Sequence, residues 1–522
     1  MRKLPYKSAF PGIVDSMKNP FHGLLSLFLV TFAMIAPASA TWSIIITNTT
    51  TGEVVAASAT CIPNLDILAV VPVVRVGLGG AAAQSMGDTG AVNRKKIWNK
   101  FANGVRPNTM INDLAAGDPW HKYRQYGIVD FANSPATFTG SGAGAAKKGV
   151  TGVVGELRYS IQGNVLTDPI VIDAAETALL TSTGDMGQRV MAAMEAARAL
   201  GGDGRCSCSP TAPTSCGAPP PGFTKSAHIG FLVIARHGDM DGVCTGPLGC
   251  ANGNYYLTLN VSAGSAAPDP ILTLAADHAA WRAGLSGHPD HVKTRVTQGA
   301  SRLPADGITS TTVFIELRDV DDVAITTGGA TLALTQTSSA LTQLGPITDY
   351  GNGSYSFDVM AGSISGTETI DVRVDDGTVQ ATLFPPVTIE VDPKAALHAG
   401  ETELSASATS EIPFTLNFGP SAATSAYFLL GSLSGTIPGT PLGSQILPLN
   451  WDALSLYTLT QPGAPLLPGS FGLLDANGRA TASLAAPAGT LVAFAGLHLD
   501  WASIALTLPE SLSNPVGLDI TP

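Results

Sequence analysis

Charge is scarce in this 522-residue chain: Asp, Glu, Lys and Arg make up only 13% of it. What charge there is leans acidic, with 28 Lys plus Arg against 40 Asp plus Glu and a net charge of −12. No basic cluster follows the first few residues, which argues against nucleic acid and against anionic membrane surfaces as partners. Beyond the N-terminus no stretch stays apolar for the roughly twenty residues that a membrane-spanning helix needs. No Gly-x-Ser-x-Gly elbow occurs with a credible partner, and the glycines of Ser141-Gly-Ala-Gly-Ala-Ala, read as a flexible loop, lack the Lys-Ser/Thr pair of a phosphate cradle. His237-Gly-Asp239-Met-Asp241-Gly suggests a cation loop but lacks the further spaced carboxylates of a calcium site. His278, His288 and His291 have no i, i+4 partnership with a Glu and read as surface or capping residues. No metal and no cofactor are therefore expected.

What is present begins at the N-terminus. Arg2, Lys3, Lys7 and Lys18 precede an apolar run over residues 24–35, and Ala38-Ser39-Ala40 has the small-residue pattern of a signal peptidase site. The run is about twelve residues, too short to anchor the chain, so residues 1–40 read as a removable export signal and Thr41 as the first residue left. An N-terminal threonine has unusual chemistry. Its hydroxyl is a weak nucleophile, but its own α-amino group, with a pKa of about 7.7–8.0, is partly neutral near pH 7–8 and can take the proton.

Export also frames the six cysteines. Cys206, Cys208 and Cys216 share one insertion and Cys244 and Cys250 another; in an oxidising compartment they read as disulfide staples. Zinc is the competing reading, but the Cys206-Ser-Cys208 spacing matches no standard ribbon. Cys244 with Cys250 would close a short loop, while the other cluster could pair within itself or across to it. Cys61 is expected buried and unpaired, or joined to the odd member.

Trp42-Ser43-Ile44-Ile45-Ile46 reads as a strand, Asn48 to Gly52 as a turn, and Glu53-Val54-Val55-Ala56-Ala57-Ser58 as the returning strand. Apolar spacing predicts helices over residues 94–103, 107–116, 169–180, 186–200 and 271–285. Strands are expected over 125–131, 227–235 and 255–261. From residue 308 to 391 apolar and polar residues alternate between Gly-rich turns, as in a β-sandwich of about ninety residues. Residues 394–410 read as a polar linker, and a second all-β unit follows, with strand-turn-strand units around residues 427–443 and 474–484.

Several blocks in order carry a resemblance: the opening hairpin, Val71 to Gln84 with its Gly77-Leu78-Gly79-Gly80, Tyr123-Arg124-Gln125-Tyr126-Gly127, Thr139-Gly140, Ile161-Gln162-Gly163-Asn164 and Gly201-Gly202-Asp203-Gly204-Arg205. Together they resemble the domain-of-unknown-function 1028 family, whose members look like N-terminal-nucleophile (Ntn) hydrolases. The resemblance implies an α+β fold, the αββα four-layer Ntn-type sandwich, over residues 41–300, and hydrolysis of an amide-containing substrate, with cell-wall material among the candidates. Ala305-Asp-Gly and Asp349-Tyr-Gly-Asn-Gly-Ser-Tyr resemble the bacterial Ig-like modules of invasin-type surface proteins, giving a second domain over 301–393. The C-terminal module, 394–522, is similar to those of exported planctomycete proteins. The whole is expected to be secreted or surface-associated, with a homo-oligomer left open.

For the chemistry, Thr41 is the expected nucleophile and base. Arg75 is a candidate cation to keep the amine's pKa low, with pairing to a surface carboxylate as its ordinary alternative. Asn164 and Gln84 are candidate oxyanion donors, and Ser43, two residues along the strand, shares Thr41's face. Asp203 and Arg205 could orient the amine or bind a charged substrate group, although a helix C-cap explains Gly201-Gly202 equally well. The competing class is a non-catalytic surface or adhesion protein that keeps the same fold as a scaffold.

Overall fold

The computed structural model describes residues 41–262, 265–443 and 445–522. The export signal assigned to residues 1–40 lies outside the described residues. No helix among them is long and apolar enough to cross a membrane.

The first part of the chain runs β1 (Thr41–Asn48), β2 (Glu53–Thr60), α1 (Ile67–Val70), β3 (Pro72–Arg75), β4 (Gly79–Ser85), α2 (Val92–Ala102), α3 (Pro107–Gly117), β5 (Arg124–Asp130), β6 (Ala136–Thr139), β7 (Lys148–Val154), β8 (Leu157–Asn164), α4 (Ile170–Thr181), α5 (Met186–Ala199), α6 (Gly204–Ser207), β9 (Ile229–Ala235), β10 (Leu257–Ser262) and α7 (Pro270–Ala283). Six strands form an antiparallel sheet in the order β10-β9-β2-β1-β8-β7, and four form a second in the order β3-β4-β5-β6.

The period-2 alternation of β1 decides what each face covers. Trp42, Ile44 and Ile46 pack with Val171, Ile172, Val190, Met194 and Leu274 of α4, α5 and α7. Ile45, on the opposite face, joins Val54, Ala56, Val74, Ala82 and Val129 between the two sheets. Val73, Ala81, Tyr126 and Ile128 then cover the outer helices through Ile97, Phe101, Met110 and Leu114. The chain is thus mixed α+β and dominated by strands. Both central strands are buried along their whole length, which explains the near-continuous apolar and small residues of β1 and β2. Each fully buried isoleucine there stabilises the fold by about 1.5–3 kcal/mol.

Residues 295–392 form two facing sheets. One holds Arg295–Gln298, Ser310–Glu316, Ser354–Ala361 and Thr342–Leu344; the other holds Arg302–Pro304, Val387–Asp392, Gly366–Asp375 and Thr331–Gln336. Val313, Ile315, Phe357, Val359, Val372 and Ile389 fill the space between them. The alternation in the sequence is therefore the inside–outside alternation of a sandwich.

The last part departs from its expected reading in three ways. Residues 394–410 are not only a linker: Leu397–Ala399 and Glu403–Ser405 pair with Ser410–Asn417 and Val516–Thr521, and Leu397, Ala399 and Leu404 are buried. The unit is not all-β, because Ala453–Thr460 is a helix capped by Asp452, whose carboxylate accepts from the Leu454 and Ser455 amides. The strands flanking the Asp475–Arg479 turn do not form a hairpin either. Phe471–Leu473 pairs with Ala426–Ser432, and Arg479–Ala486 pairs with Ser410–Asn417, in different sheets. A tight turn fixes a change of direction, while strand partners are chosen by the core.

His278 and His291, expected at the surface, are buried at 4% and 2% exposure. His278 packs on Trp281, and His291 lies between Glu53, Asp290 and the Thr51 carbonyl. His288, as a partly buried residue, bonds Asp376 at 2.6 Å. Burial holds His121, His228, His278, His291 and His398 below the ordinary histidine pKa. An unfolded histidine takes up a proton near pH 6.5, so below that pH the unfolded chain binds protons that the native chain refuses. This contribution to stability is present above about pH 6.5 and is lost as pH falls toward the folded values. The exposed His498, raised by Asp519, opposes it as a single group. Thermal unfolding at constant ionic strength should therefore show a lower Tm at pH 5.5 than at pH 7.5; an equal or higher Tm contradicts this account.

Candidate active site at the head of the first strand

Thr41 opens β1 in the middle of the six-stranded sheet and is 3% exposed. On one side it pairs directly with Asn164, the last residue of β8. On the other, β2 ends at Thr60, one residue past the Trp42–Ala59 pair, which brings Thr60 alongside Thr41. Thr41 shares the inter-sheet face with Ser43, as the strand period requires.

Asn164 donates its amide Nδ2 to the Ala143 carbonyl at 2.9 Å and to Ser85 Oγ at 3.3 Å. Ala143 lies in the Ser141-Gly-Ala-Gly-Ala-Ala loop, which was expected to be flexible. Instead Ala143 is buried and the Val165 and Leu166 amides donate to the Ala145 and Ala146 carbonyls, so the loop packs over the end of β8.

Arg205, and not Arg75, reaches the Thr60 side chain at the end of β2 that lies alongside Thr41. Arg205 pairs with Asp203 through both nitrogens, Nε to Oδ1 at 3.1 Å and Nη2 to Oδ2 at 2.8 Å, and Nη2 reaches Thr60 Oγ1 at 3.4 Å. Asp203 is fully buried, accepts the Cys61 amide at 2.7 Å and caps α6 through the Arg205 amide. Two links hold this loop in place. A disulfide joins Cys61, the residue after Thr60, to Cys206, the residue after Arg205. The Trp42 ring also lies so close to Gly202 that a Cβ there would come within 2.7 Å of it, at a φ of +56°. Gly201 and Gly202 do cap α5, through amides donated to Arg198 and Ala197, so close approach and capping coincide.

Arg75 sits opposite Gly79 at the far end of β4 from Gln84. Five residues of strand put it about 17 Å from the Thr41 end. It donates to Asp241 at 2.8 Å and lies over the Trp98 ring, which is the carboxylate pairing that was its ordinary alternative. The carboxylates of the supposed cation loop are spent the same way: Asp241 accepts from Arg75 and Val76, Asp239 from the Arg236 and Tyr256 amides.

Gln84 is near Thr41 but is not available to an oxyanion. Its Nε2 donates to the Thr41 carbonyl at 2.9 Å and to Gln125 Oε1 at 2.8 Å, while Oε1 accepts from Ser43 Oγ. Gln125 in turn donates to Thr139 Oγ1 and to the Lys148 and Gly163 carbonyls. Ser43 also bonds Ser58, which donates to the Trp42 carbonyl. These residues form a buried polar layer between the sheets that fixes the start of β1. Gly127 makes room for it: a Cβ there would lie 2.0 Å from Gln162 Oε1.

Sequence reasoning missed Thr60, Ser85, Ala143 and His228. The His228 amide donates to the Thr60 carbonyl, and its buried Nδ1 has no hydrogen-bond partner among the described residues. Burial first and Lys225 second lower the pKa of its ring, with Asp203 opposing. The sulfurs of Cys61 and Cys206 lie within 4.8 Å of this ring, but they are bonded to each other, and a disulfide sulfur is not the thiolate that binds metal. The remaining cysteines pair as Cys208–Cys216 and Cys244–Cys250.

Two stretches of the chain relate it to other proteins, and the first holds the blocks around Thr41. Residues 41–212 match the family of unknown function DUF1028. Residues 290–391 match invasin domain 3. Among solved structures, a DUF1028 protein from Silicibacter pomeroyi is 24% identical, covering 47% of this chain and 93% of its own, with a TM-score of 0.32. The adhesin InvE of Yersinia pseudotuberculosis is 19% identical over 44% of this chain and 59% of its own, with a TM-score of 0.16. The Escherichia coli adhesin FdeC is 11% identical over 92% of this chain and 97% of its own, with a TM-score of 0.18. No curated protein matches the chain.

Proposed function

We propose that the chain is an exported Ntn-type amidohydrolase, with residues 1–40 as the signal, 41–300 as an αββα hydrolase domain, 301–393 as an Ig-like arm and 394–522 as a C-terminal module. The observation that carries this reading is the position of Thr41: the first residue of a central strand, set between Asn164 and Thr60, with the Asp203–Arg205 pair at its side. The order helices, sheet, sheet, helices supports the four-layer assignment, and the DUF1028 match supports the family.

In this reading removal of residue 40 leaves the Thr41 α-amine free. The neutral amine takes the hydroxyl proton as Oγ attacks an amide carbonyl, and the positive Arg205 nearby keeps the amine's pKa low. The Asn164 amide hydrogen now shared with Ser85 turns to the tetrahedral oxyanion. The protonated amine then gives its proton to the leaving nitrogen, the C–N bond breaks, and water hydrolyses the resulting ester. Arg75, Gln84 and Ser43 take no part in bond making: Arg75 secures the β3 end, and the other two fix the strand that presents Thr41.

A second reading, a surface protein that uses the fold as a scaffold, is favoured by the invasin domain 3 match. Paired arginine variants separate the two. With a panel of acyl p-nitroanilides, Arg205→Gln is expected to lower kcat at least about tenfold and to move the acidic limb of the pH–rate profile to higher pH. Arg75→Gln should leave both unchanged. A wild type inactive on every amide supports the scaffold, and equal effects of the two variants contradict the site as drawn.

A further inference from the structure

A second cleft lies at the opposite end of β1 from Thr41. Seven residue steps along the strand separate the two ends by about 23 Å. There Arg236, bonded to Glu53 at the start of β2, forms part of a cleft of about 360 Å³ between the first fold and the Ig-like sheets. One wall carries Tyr255, Tyr256 and Trp281, and the facing wall carries Arg373, Gln380 and Thr382. We propose that this cleft is a saccharide-binding site that takes a neutral oligosaccharide.

Three observations support it. The aromatic wall is prearranged: Tyr256 meets Trp281 edge-on at 4.8 Å and is backed by the Arg236 guanidinium at 3.2 Å from its ring centre. Both rings stay only partly buried, so apolar ring surface remains for the C–H face of a sugar. Hydrogen-bonding groups are also held in place opposite. The Gln380 amide is fixed by Arg373 at one end and by Asp375 at 2.5 Å at the other, and Thr382 packs on Gly238, where a Cβ would come within 2.1 Å of its hydroxyl.

The third observation is that the charges on the first fold's side of the cleft are already matched within the protein, while Arg373 on the facing wall donates to the neutral Gln380 amide. Arg236 is paired with Glu53 and Asp290, His237 with Asp371, and Asp239 accepts two backbone amides. An ionic ligand would meet no unmatched opposite charge among these groups. A polyol, with one apolar face and an edge of hydroxyls, complements the aromatic wall and the amide and hydroxyl wall together. The size falls in the range of small-ligand pockets. The site draws on both folds, so it does not depend on the chemistry proposed at Thr41.

The test is isothermal titration of the full mature chain with neutral tetrasaccharides of glucose, N-acetylglucosamine, mannose and galactose at about 5 mM. At least one is expected to bind, with affinity reduced tenfold or more by Gln380→Ala and by Trp281→Ala and unchanged by Thr41→Ala. Gln380 is exposed, so its variant reports even where loss of Trp281 unfolds the chain. No binding by any of the four, binding indifferent to Gln380→Ala, or capture of an unglycosylated peptide in place of the sugars would each overturn the proposal.

Discussion

Thr41→Ala is expected to abolish amide hydrolysis, lowering kcat by at least about 10³-fold, while moving the Tm by no more than about 2 °C. The size of the catalytic loss follows from the residue's double duty. The variant retains the α-amine but has no hydroxyl to activate, and no neighbour replaces it: Ser43 is committed to Ser58 and Gln84. The small thermal effect follows from the backbone contacts that alanine keeps. The Thr41 backbone is paired to Asn164 and bonded from its carbonyl to Gln84. Activity within tenfold of wild type would remove Thr41 from the mechanism.

Gln84→Leu should have the opposite profile. Leucine is close in volume, but it leaves the Thr41 carbonyl, Ser43 Oγ and Gln125 Oε1 each without one partner in a buried layer. Each buried polar group left unsatisfied costs about 1–3 kcal/mol, so a loss of about 3–9 kcal/mol is expected for the three. Equilibrium urea unfolding of wild type and variant measures it directly, as a fall in midpoint. Gln84→Glu serves as the companion, since it retains the acceptor for Ser43 and loses only the donors. A midpoint unchanged in Gln84→Leu would mean that the layer contributes nothing to the fold.

Much of the first fold was legible because its pattern is local. The β1–β2 hairpin, α2 to α5, β9 and α7 all appear within a few residues of where alternation or helical spacing places them. The site was legible only in part. Asn164 and Thr41 were both singled out, but that they are paired residues is a matter of register between strands more than a hundred residues apart. Arg75 lies on a strand that could run next to the first, but the fold places it beside Asp241, the carboxylate pairing that was its alternative. A signal for Arg205 was present all the same: Cys61 follows Thr60 and Cys206 follows Arg205, so joining those two cysteines would have placed Arg205 at the end of β2. Short strands such as Leu397–Ala399 carry too few residues to show a period, and the burial of His278 and His291 depends on packing that no local pattern encodes.

The proposed hydrolysis requires a free amine on Thr41. The most direct measurement is the N-terminal sequence of the mature protein recovered from the envelope or the medium. The account predicts that it begins Thr-Trp-Ser-Ile. A mature chain that begins at any other residue has no nucleophile with its own base at the head of β1, and would contradict the proposed hydrolysis.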